Sequence, residues 1–235
     1  MNLLLFRPGE VDADGIGVVT GEPLRHLREV LDLGVGDTMR VGELGGLSGD
    51  GVIEHIDAGE ARLRCHLHTP PPAKMELTVI LALPRPKMLR RVLRAVAEFG
   101  VPQLYLINSY RVEKSYWQTP VLAQQMMEAY LVEGLAQARD TVLPQVTLRK
   151  RFKPFVEDEV PGLLQGKQAL VAQPGELPPC PRGPSPATVI AIGPEGGWIP
   201  FEVEKLEAAG CQPVSLGPRI LRVEDALVSL LGRLA

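Results

Sequence analysis

Two patterns of apolar residues divide the chain. Up to about residue 70, short apolar runs recur between glycine and aspartate residues, which is typical of a small β-barrel. One longer segment, 22–34, has the spacing of an amphipathic helix that Gly34 ends. The predicted apolar face of this helix consists of Leu24, Leu27, Val30 and Leu31. The predicted strands are 2–6, 38–43, 51–57 and 61–68.

A proline-rich break at 69–74 follows, and beyond it apolar strands alternate with helices. Such alternation is typical of a mainly parallel sheet that is covered on both faces. We therefore predict an α/β chain with a small β-barrel domain over 1–70 and an α/β domain over 71–235. The predicted strands are 75–83 and 103–108, and three units that each consist of a strand followed by a loop are predicted at 168–175, 187–197 and 212–221. The predicted helices are 86–100, 120–139, one that opens after Pro200 and one that begins near Val223.

Composition narrows the class of protein without identifying it. The 235 residues are 45% hydrophobic and carry a net charge of −3, which is ordinary for a soluble globular protein. No apolar run reaches the roughly 18–20 residues that span a bilayer, and the start does not fit a signal peptide, so we expect no membrane contact and a cytoplasmic location. The scattered cysteines Cys65, Cys180 and Cys211 favour reduced thiols. Arginine outnumbers lysine, which fits either phosphate recognition or a GC-rich genome.

Common cofactor and metal motifs do not fit the sequence. Segment 162–168 has one residue too few for a phosphate-binding P-loop, and the glycine-rich 42–49 segment is better explained as a hairpin turn. Cys65, His66 and His68 are close in sequence, but alternation along a strand points Cys65 away from the two histidines. The sequence therefore predicts no metal site.

The most specific pattern lies in two loops that follow successive predicted strands. Each has Gly-Pro directly after an apolar run, in IGPEGG over 192–197 and in LGPRILRVED over 216–225. One Gly-Pro pair alone is explained as a tight turn between a strand and a helix. Two such pairs, with Glu195 on one loop and Arg219 and Arg222 on the other, indicate a ligand site, because α/β proteins bind ligands at the carboxyl ends of strands.

The two loops resemble the paired motifs of the RsmE-type enzymes, which usually read IGPEGG and LGxRILRxETA. These enzymes are 16S ribosomal RNA uridine-N3 methyltransferases of the SPOUT superfamily. Upstream, segment 25–37 is similar to part of that family's N-terminal PUA-like barrel, and segment 87–101 resembles one of its helices. The SYRVEK segment at 109–114 lies where the family has SERSxxK. The resemblance covers most of the chain.

The chain departs from the family pattern in two places. Val223-Glu224-Asp225 replaces a triplet with Thr or Ser before the glutamate and Thr after it. The long helix ends in GLAQARDT instead of a Glu-Gln-x-x-Arg type cluster, for which Gln137 and Arg139 are the available replacements. These departures leave open an inactive RNA-binding relative. A SPOUT enzyme that methylates a ribose 2′-oxygen or a tRNA guanine is a further alternative.

The resemblance implies S-adenosylmethionine as the methyl donor, bound in a deep trefoil knot of the C-terminal domain. In the family, the loops after three strands form this knot. Glycines there would let the backbone approach the flat adenine, and prolines would hold the loops in shape before the ligand binds. The implied cofactor-binding residues are Val171, Ala172, Gln173, Pro174, Ile192, Gly193, Pro194, Glu195, Gly196, Gly197, Leu216, Gly217, Pro218, Ile220 and Leu221.

Methylation of uridine N3 requires loss of the N3 proton and stabilisation of the resulting negative charge. Arg219 or Arg222 could stabilise charge on the uracil oxygens. For Arg222 we favour this function, because a cation between two buried elements needs a partner. Glu195 or Glu224 could be the general base, or each could be a carboxylate that interacts with a helix N-terminus.

Contacts with ribosomal RNA, free or in the small ribosomal subunit, are expected from basic residues outside the knot. The N3 atom lies on the Watson–Crick edge, so the target uridine must be unpaired or turned out of its stack. The candidate residues are Arg7, Arg25, His26, Arg85, Lys87, Arg90, Arg91 and Arg94. A solvated helix face explains any one of the last three equally well. The family further implies a homodimer, and the apolar stripe of the last helix fits burial in a dimer or within one chain.

Overall fold

The computed structural model describes residues 2–183 and 186–235. Contacts within the chain divide it into two compact units. The first unit consists of Met1–Ala73 and Val132–Leu143, and the second of Lys74–Leu131 and Pro144–Ala235. The division after Ala73 comes at the proline-rich segment, whereas the sequence pattern assigned 132–143 to the second domain.

The first unit is a five-stranded sheet with strand order β1-β3-β4-β5-β2. The β1–β3 pair is parallel and the other three pairs are antiparallel. Alternate side chains of β4 and β5, such as Ile53 and Leu63, are buried in one apolar cluster. The elements are β1 (Leu4–Phe6), β2 (Ile16–Val19), α1 (Gly21–Glu29), β3 (Thr38–Glu43), β4 (Ser48–Ile56) and β5 (Ala61–Thr69).

Two sequence predictions for this unit are wrong. Helix α1 ends at Glu29, and the predicted face residues Val30 and Leu31 are 66% and 37% exposed. Strand β2 was not predicted, because it is short and contains a glycine that breaks the apolar alternation. That glycine, Gly17, packs against the ring of Phe6, whose Cζ would lie 2.5 Å from an added Cβ. The strand therefore needs a residue of low strand propensity at this position.

Segment 132–143 joins the first unit through main-chain hydrogen bonds. The Thr141 hydroxyl donates to the Gly46 carbonyl at 2.6 Å, and the Gly45 amide donates to the Thr141 carbonyl at 2.7 Å. The Asn2 side chain donates to the Gln137 carbonyl at 3.0 Å. No periodic pattern in the sequence indicates such contacts, because they join loops.

The second unit is built on six strands in the order β11-β9-β10-β6-β7-β8. Every neighbouring pair is parallel, which confirms the predicted parallel sheet. The central strands β6 and β10 are buried along their whole length, because helices cover the sheet. The strands are β6 (Leu77–Ala82), β7 (Gln103–Ile107), β8 (Gln145–Arg149), β9 (Gln168–Ala172), β10 (Thr188–Ile192) and β11 (Gln212–Val214).

Beyond residue 85, the first helix and the last two agree with the predicted helices, and those between them differ; one of these, α3, ends in segment 132–143 of the first unit. A 3-10 turn at Pro120–Leu122 precedes α3, so this helix begins later than predicted. Strand β8 and the helical stretch after it were not predicted. In the helical stretch, Pro154 and Pro161 interrupt any helical period. The helices are α2 (Pro86–Glu98), α3 (Gln124–Ala138), α4 (Phe152–Pro154), a π-helical turn (Phe155–Glu159), α5 (Val160–Leu163), α6 (Pro200–Ala208) and α7 (Val223–Leu234). No helix in the described residues is long and apolar enough to cross a membrane.

Candidate functional site

The carboxyl ends of β9, β10 and β11 open into one cavity of about 340 Å³. Three loops, 172–174, 192–198 and 216–221, and the first half of α7 line it. The three strands are neighbours in a parallel sheet, so their loops meet at one edge although they are distant in sequence. The predicted strand-and-loop unit 212–221 is confirmed, because Gln212–Val214 pairs with β9 and the remainder forms the third loop.

Thirteen of the fifteen predicted cofactor-binding residues line this cavity; these are Ala172, Gln173, Pro174, Ile192, Gly193, Pro194, Glu195, Gly196, Gly197, Leu216, Gly217, Ile220 and Leu221. Val171 and Pro218 do not line it. Val171 is fully buried inside β9, where it pairs with Ala191 and Pro213 of the neighbouring strands. Pro218 is exposed.

The 192–198 loop is tightly packed around two glycines. A Cβ added to Gly196 would lie 2.9 Å from Cδ of Arg111, and one added to Gly193 would lie 3.2 Å from the Trp198 amide nitrogen. Arg111 Nη1 also donates a hydrogen bond to the Gly196 carbonyl. The loop therefore has a fixed shape and leaves its backbone accessible to a ligand, as glycine permits.

Trp198 lies beside this loop with a polar atom that lacks a partner. The residue is 8% exposed and lines the cavity. Among buried side-chain nitrogens and oxygens of the described residues, Nε1 of Trp198 is the one without a hydrogen bond. A buried donor without an acceptor is unfavourable, and a ligand in the cavity could supply the acceptor.

Glu195 forms a structural hydrogen bond. Its Oε1 accepts from the Arg85 amide at 2.9 Å, and Arg85 immediately precedes the first turn of α2. A carboxylate at this point is stabilised by the helix dipole and satisfies an otherwise unpaired amide. The geometry thus favours the helix N-terminus alternative for Glu195, although its side chain is exposed at the cavity.

The two arginines of the third loop differ in their positions. Arg219 lines the cavity. Arg222 does not line it, but is the exposed residue that precedes the first turn of α7. The burial argument for Arg222 is therefore wrong, because the guanidinium is solvated and needs no partner.

Glu224 also lies outside the 340 Å³ cavity. It is in the first turn of α7, and its Oε1 is 3.5 Å from Nη1 of Arg91 on α2. Both residues line a second cavity between these helices. The sequence left open a structural role for Glu224. The ion pair with Arg91 and the position in the first turn of α7 fit that role.

A buried carboxylate next to the site was missed from the sequence. Glu202 is 2% exposed and accepts hydrogen bonds from the Tyr110 amide at 2.8 Å, the Ile199 amide at 3.1 Å and the Ser109 hydroxyl at 3.4 Å. These bonds join the loop after β7 to the start of α6. Arg111 follows Tyr110 directly, so the network holds it against the Gly196 loop.

Five residues that line the cavity were not predicted, namely Arg111, Trp198, Val223, Ala226 and Leu230. Arg111 belongs to the 109–114 segment, which had been identified by its resemblance but was given no role. Trp198 follows the IGPEGG motif directly. The three residues of α7 were assigned to a helix whose apolar stripe was interpreted only as packing.

The predicted RNA-binding residues have different surroundings within each unit. Arg90 and Arg94 lie over the ring of Tyr130, with guanidinium carbons 5.8 and 4.9 Å from its centroid. Arg91 pairs with Glu224, as described. In the first unit, Arg25 pairs with Glu22 at 3.4 Å, and Arg7 and His26 also have interactions with other residues. Arg85 and Lys87 are exposed at the start of α2.

The cysteines are all buried free thiols. Burial raises the pKa of Cys65 and of Cys180, and raises that of Cys211 to about 11. Cys65 is buried while His66 and His68 are exposed, so strand alternation separates them as expected. In the described part of the chain no three His, Cys, Asp or Glu side chains are grouped so that they could hold a metal ion.

A model of the RNA methyltransferase domain family matches residues 71–235. The chain is 30% identical to the "ribosomal RNA small subunit methyltransferase E" of Treponema pallidum (strain Nichols). The aligned region covers 96% of this chain and 87% of the relative. The protein of that name from Synechocystis sp. is 27% identical, over 95% of this chain and 73% of the relative.

Solved structures have the same fold. Ribosomal RNA small subunit methyltransferase E from Neisseria gonorrhoeae, bound to S-adenosyl methionine, has a TM-score of 0.75 over 98% of this chain and 95% of its own, at 20% identity. A probable rRNA-methyltransferase from Porphyromonas gingivalis has a TM-score of 0.74 over the same shares, at 22% identity. With the family match and the 30% identical relative, these findings show that the chain belongs to the RNA methyltransferase family and, within it, to the ribosomal RNA small subunit methyltransferase E type.

Proposed function

We propose that this chain transfers a methyl group from S-adenosylmethionine to N3 of a uridine in 16S ribosomal RNA of the small subunit. One observation carries the proposal: three loops at the carboxyl edge of a parallel sheet enclose a single cavity in a chain of this family. The names of the relatives support ribosomal RNA as substrate, and the similarly folded Neisseria structure supports the donor.

The residues of the cavity fit this donor. A volume of about 340 Å³ is within the range of small-molecule sites. The partly exposed backbone of Gly193 offers hydrogen bonds to the edge of an adenine, and Leu216, Ile220 and Leu230 offer apolar contacts to its faces. The unpaired Nε1 of Trp198 offers a donor to an oxygen or nitrogen of the ligand. When bound, the donor supplies a methyl group on a positively charged sulfur.

The protein's part in the reaction is to orient the uracil and stabilise its anion. Methyl transfer needs uridine N3 about 3–3.5 Å from the methyl carbon and opposite the carbon–sulfur bond that breaks, so positioning supplies much of the rate. Arg219 and Arg111 bring cationic side chains to the cavity, where they stabilise charge on the uracil oxygens as N3 loses its proton. The Glu195 carboxylate accepts a hydrogen bond from the Arg85 amide, and Glu224 forms an ion pair with Arg91. We therefore assign both residues a structural role, and water accepts the N3 proton.

Three finer features belong to the same proposal. We infer that the chain after β9 forms a trefoil knot, which fits the position of β10 between β9 and β6. The five-stranded first unit is proposed to be a PUA-like barrel that binds RNA. A homodimer in the cytoplasm is expected for such an enzyme, and the exposed Val228 on α7 is available for a second copy.

The test uses labelled S-adenosylmethionine with unmodified small-subunit RNA and with subunits. Digestion to nucleosides and mass spectrometry should find 3-methyluridine as the product. Label on a ribose or on guanine would support a different SPOUT activity. Calorimetric binding of the donor without any transfer would indicate an inactive RNA-binding protein.

A further inference from the structure

The carboxyl edge of the parallel sheet continues beyond the cavity and carries cations and aromatic rings. The strand order runs from β10 through β6 to β7 and β8, so the loops after β7 and β8 extend this edge. Tyr110, Arg111, Lys114 and Trp117 follow β7, and Lys150 and Arg151 follow β8. We call these six residues the edge strip.

Hydrogen bonds hold the two loops of the edge strip side by side. The main-chain amide of Asn108 donates a hydrogen bond to the Arg149 carbonyl at 2.9 Å. The Trp117 indole Nε1 donates to Oδ1 of Asn108 at 2.8 Å. Nζ of Lys150 lies 5.8 Å from the centre of the Trp117 ring. Trp117 and the Lys150 cation therefore face one surface, although 33 residues separate them in the sequence.

The first part of the strip reaches the rim of the cavity. Tyr110 and Arg111 are the two corner residues of a turn that the Val112 amide closes on the Ser109 carbonyl at 3.1 Å. Ser109 and Val112 are buried, so the corner residues project outward, and the Tyr110 side chain is 79% exposed. Arg111 lines the cavity, and Tyr110 is its chain neighbour. Lys114 and Trp117 share one face of the following 3-10 helix, because residues three apart eclipse one another in that helix.

The cations of the strip are available to a ligand. In residues 2–183 and 186–235, Lys114, Lys150 and Arg151 form no ion pair with a carboxylate. Their neighbours are neutralised, since Arg149 pairs with Glu159 at 2.7 Å and Lys153 with Glu157 at 4.0 Å. Unpaired cations beside the exposed Tyr110 ring and the partly buried Trp117 ring match a single-stranded nucleic acid, whose phosphates need cations and whose bases stack on rings.

We propose that the edge strip binds the unpaired RNA strand next to the target uridine. Phosphates contact Lys114, Lys150 and Arg151, and a base adjacent to the target stacks on Tyr110. Arg111 then lies where the strand enters the cavity. This inference rests on the proposed function, since it supplies the path by which RNA reaches the same site.

The test measures binding of oligouridine to the full-length chain at several salt concentrations. Replacing Lys114, Lys150 and Arg151 together by Gln should lower the salt slope by roughly 2, because each phosphate contact to a single strand contributes about 0.7. Affinity should fall at least about tenfold. The control replaces Lys153, which pairs with Glu157 and lies in α4 just after this loop, and Lys167, which precedes β9 at the opposite sheet edge. This control should change affinity less than about twofold.

A second arm tests stacking. Tyr110→Ala should weaken oligouridine binding roughly tenfold, within the range for one stacked base, and Tyr110→Phe should restore most of it. Calorimetric affinity for S-adenosylmethionine should be unchanged in all variants, which also verifies their folding. A triple variant that keeps the wild-type salt slope, or a wild type that prefers a fully paired RNA hairpin to oligouridine, would overturn the inference. If oligouridine binding depends on the edge strip but the chain transfers no methyl group, the proposed function is overturned and the inference about the edge strip is not.

Discussion

Carboxylates on the sheet of the first unit and beside the cavity of the second unit have different partners. On the sheet of the first unit they pair with cations, as in Arg62–Glu60 at 2.7 Å and Arg40–Asp50 at 3.4 Å. At the carboxyl edge of the second unit, Glu195 and Glu202 accept hydrogen bonds from main-chain amides instead. Main-chain amides therefore engage these two carboxylates, and Lys114, Lys150 and Arg151 on the same edge form no ion pair among the described residues.

The comparison shows why the charges in a sequence do not locate a nucleic-acid surface. The net charge of −3 gives no indication of RNA binding, and the arginines predicted from helix 86–100 interact with Tyr130 and Glu224. A cation is available to phosphate only where the fold gives neighbouring carboxylates other partners.

The largest expected effect comes from the buried carboxylate of the second unit. Glu202→Gln should lower the free energy of unfolding by about 2–4 kcal/mol, because an amide NH₂ would face donors that need an acceptor. Thermal unfolding should shift down by roughly 5–10 °C. Glu207→Gln, at an exposed position of α6, is the control and should be near neutral. An equal, small shift for both variants would contradict the role of the Glu202 network.

The next effect concerns the unpaired indole at the cavity. Trp198→Phe should weaken binding of S-adenosylmethionine by about tenfold, which is the net value of about one hydrogen bond. Calorimetry measures this directly, and Trp117→Phe, whose indole is bonded to Asn108 outside the cavity, is the matched control. Unchanged donor affinity in Trp198→Phe would show that Nε1 does not contact the ligand.

Glu195→Gln distinguishes a general base from a helix carboxylate. Loss of a general base lowers a rate by about 10²–10⁴, whereas a weakened contact with the start of α2 costs about 1 kcal/mol of stability. We expect the second result, with methyl transfer reduced less than about tenfold. A rate loss above a hundredfold in a stably folded variant would restore the catalytic role.

Breaking an ion pair of the first unit should have a small effect. Arg64 and Glu54 are both substantially exposed, so Arg64→Gln should cost about 0.2–1 kcal/mol in urea unfolding. Its effect on the salt slope of oligouridine binding should be negligible compared with that of the edge strip. If Arg64→Gln lowered the salt slope as much as the triple variant of the edge strip, the contrast between the two units would not hold.

Asp57 lies in a turn of the first unit, where its carboxylate accepts main-chain hydrogen bonds, and it gives the smallest effect. Hydrogen bonds from the Glu60 and Gly59 amides, with one to His55, lower its pKa from the usual 3.8 to about 2. Because the folded pKa is depressed, the stabilisation is present above pH 3.8 and is lost as the pH falls towards 2. The stability of Asp57→Asn, measured by acid unfolding, should therefore not show this loss between pH 4 and pH 2. A stability profile identical to that of the wild type would contradict the role of Asp57.

Sequence patterns predicted the regular elements best. The unbroken apolar runs of β6 and β10 and the stripe of α7 follow from side-chain period alone. The cavity loops were predicted because Gly-Pro motifs after two successive strands in the sequence resemble those of a known family. Val171 was wrongly placed because assignment to a loop could not show that its side chain enters the sheet.

The missed features depend on contacts between distant segments. Glu202 joins residues more than 90 positions away, and Lys150 approaches Trp117 only because β7 and β8 are neighbours in the sheet. Arg222 appeared buried because its neighbours are apolar, whereas the turn before α7 exposes it. No periodicity reports such contacts, since they depend on strand order and loop shape.

Hydrogen–deuterium exchange with and without S-adenosylmethionine tests most directly whether the three loops form one binding site. Added donor should slow exchange in segments 172–174, 192–198 and 216–221 together, with no change in the sheet of the first unit. Protection confined to other segments, or none at saturating donor, would contradict the account.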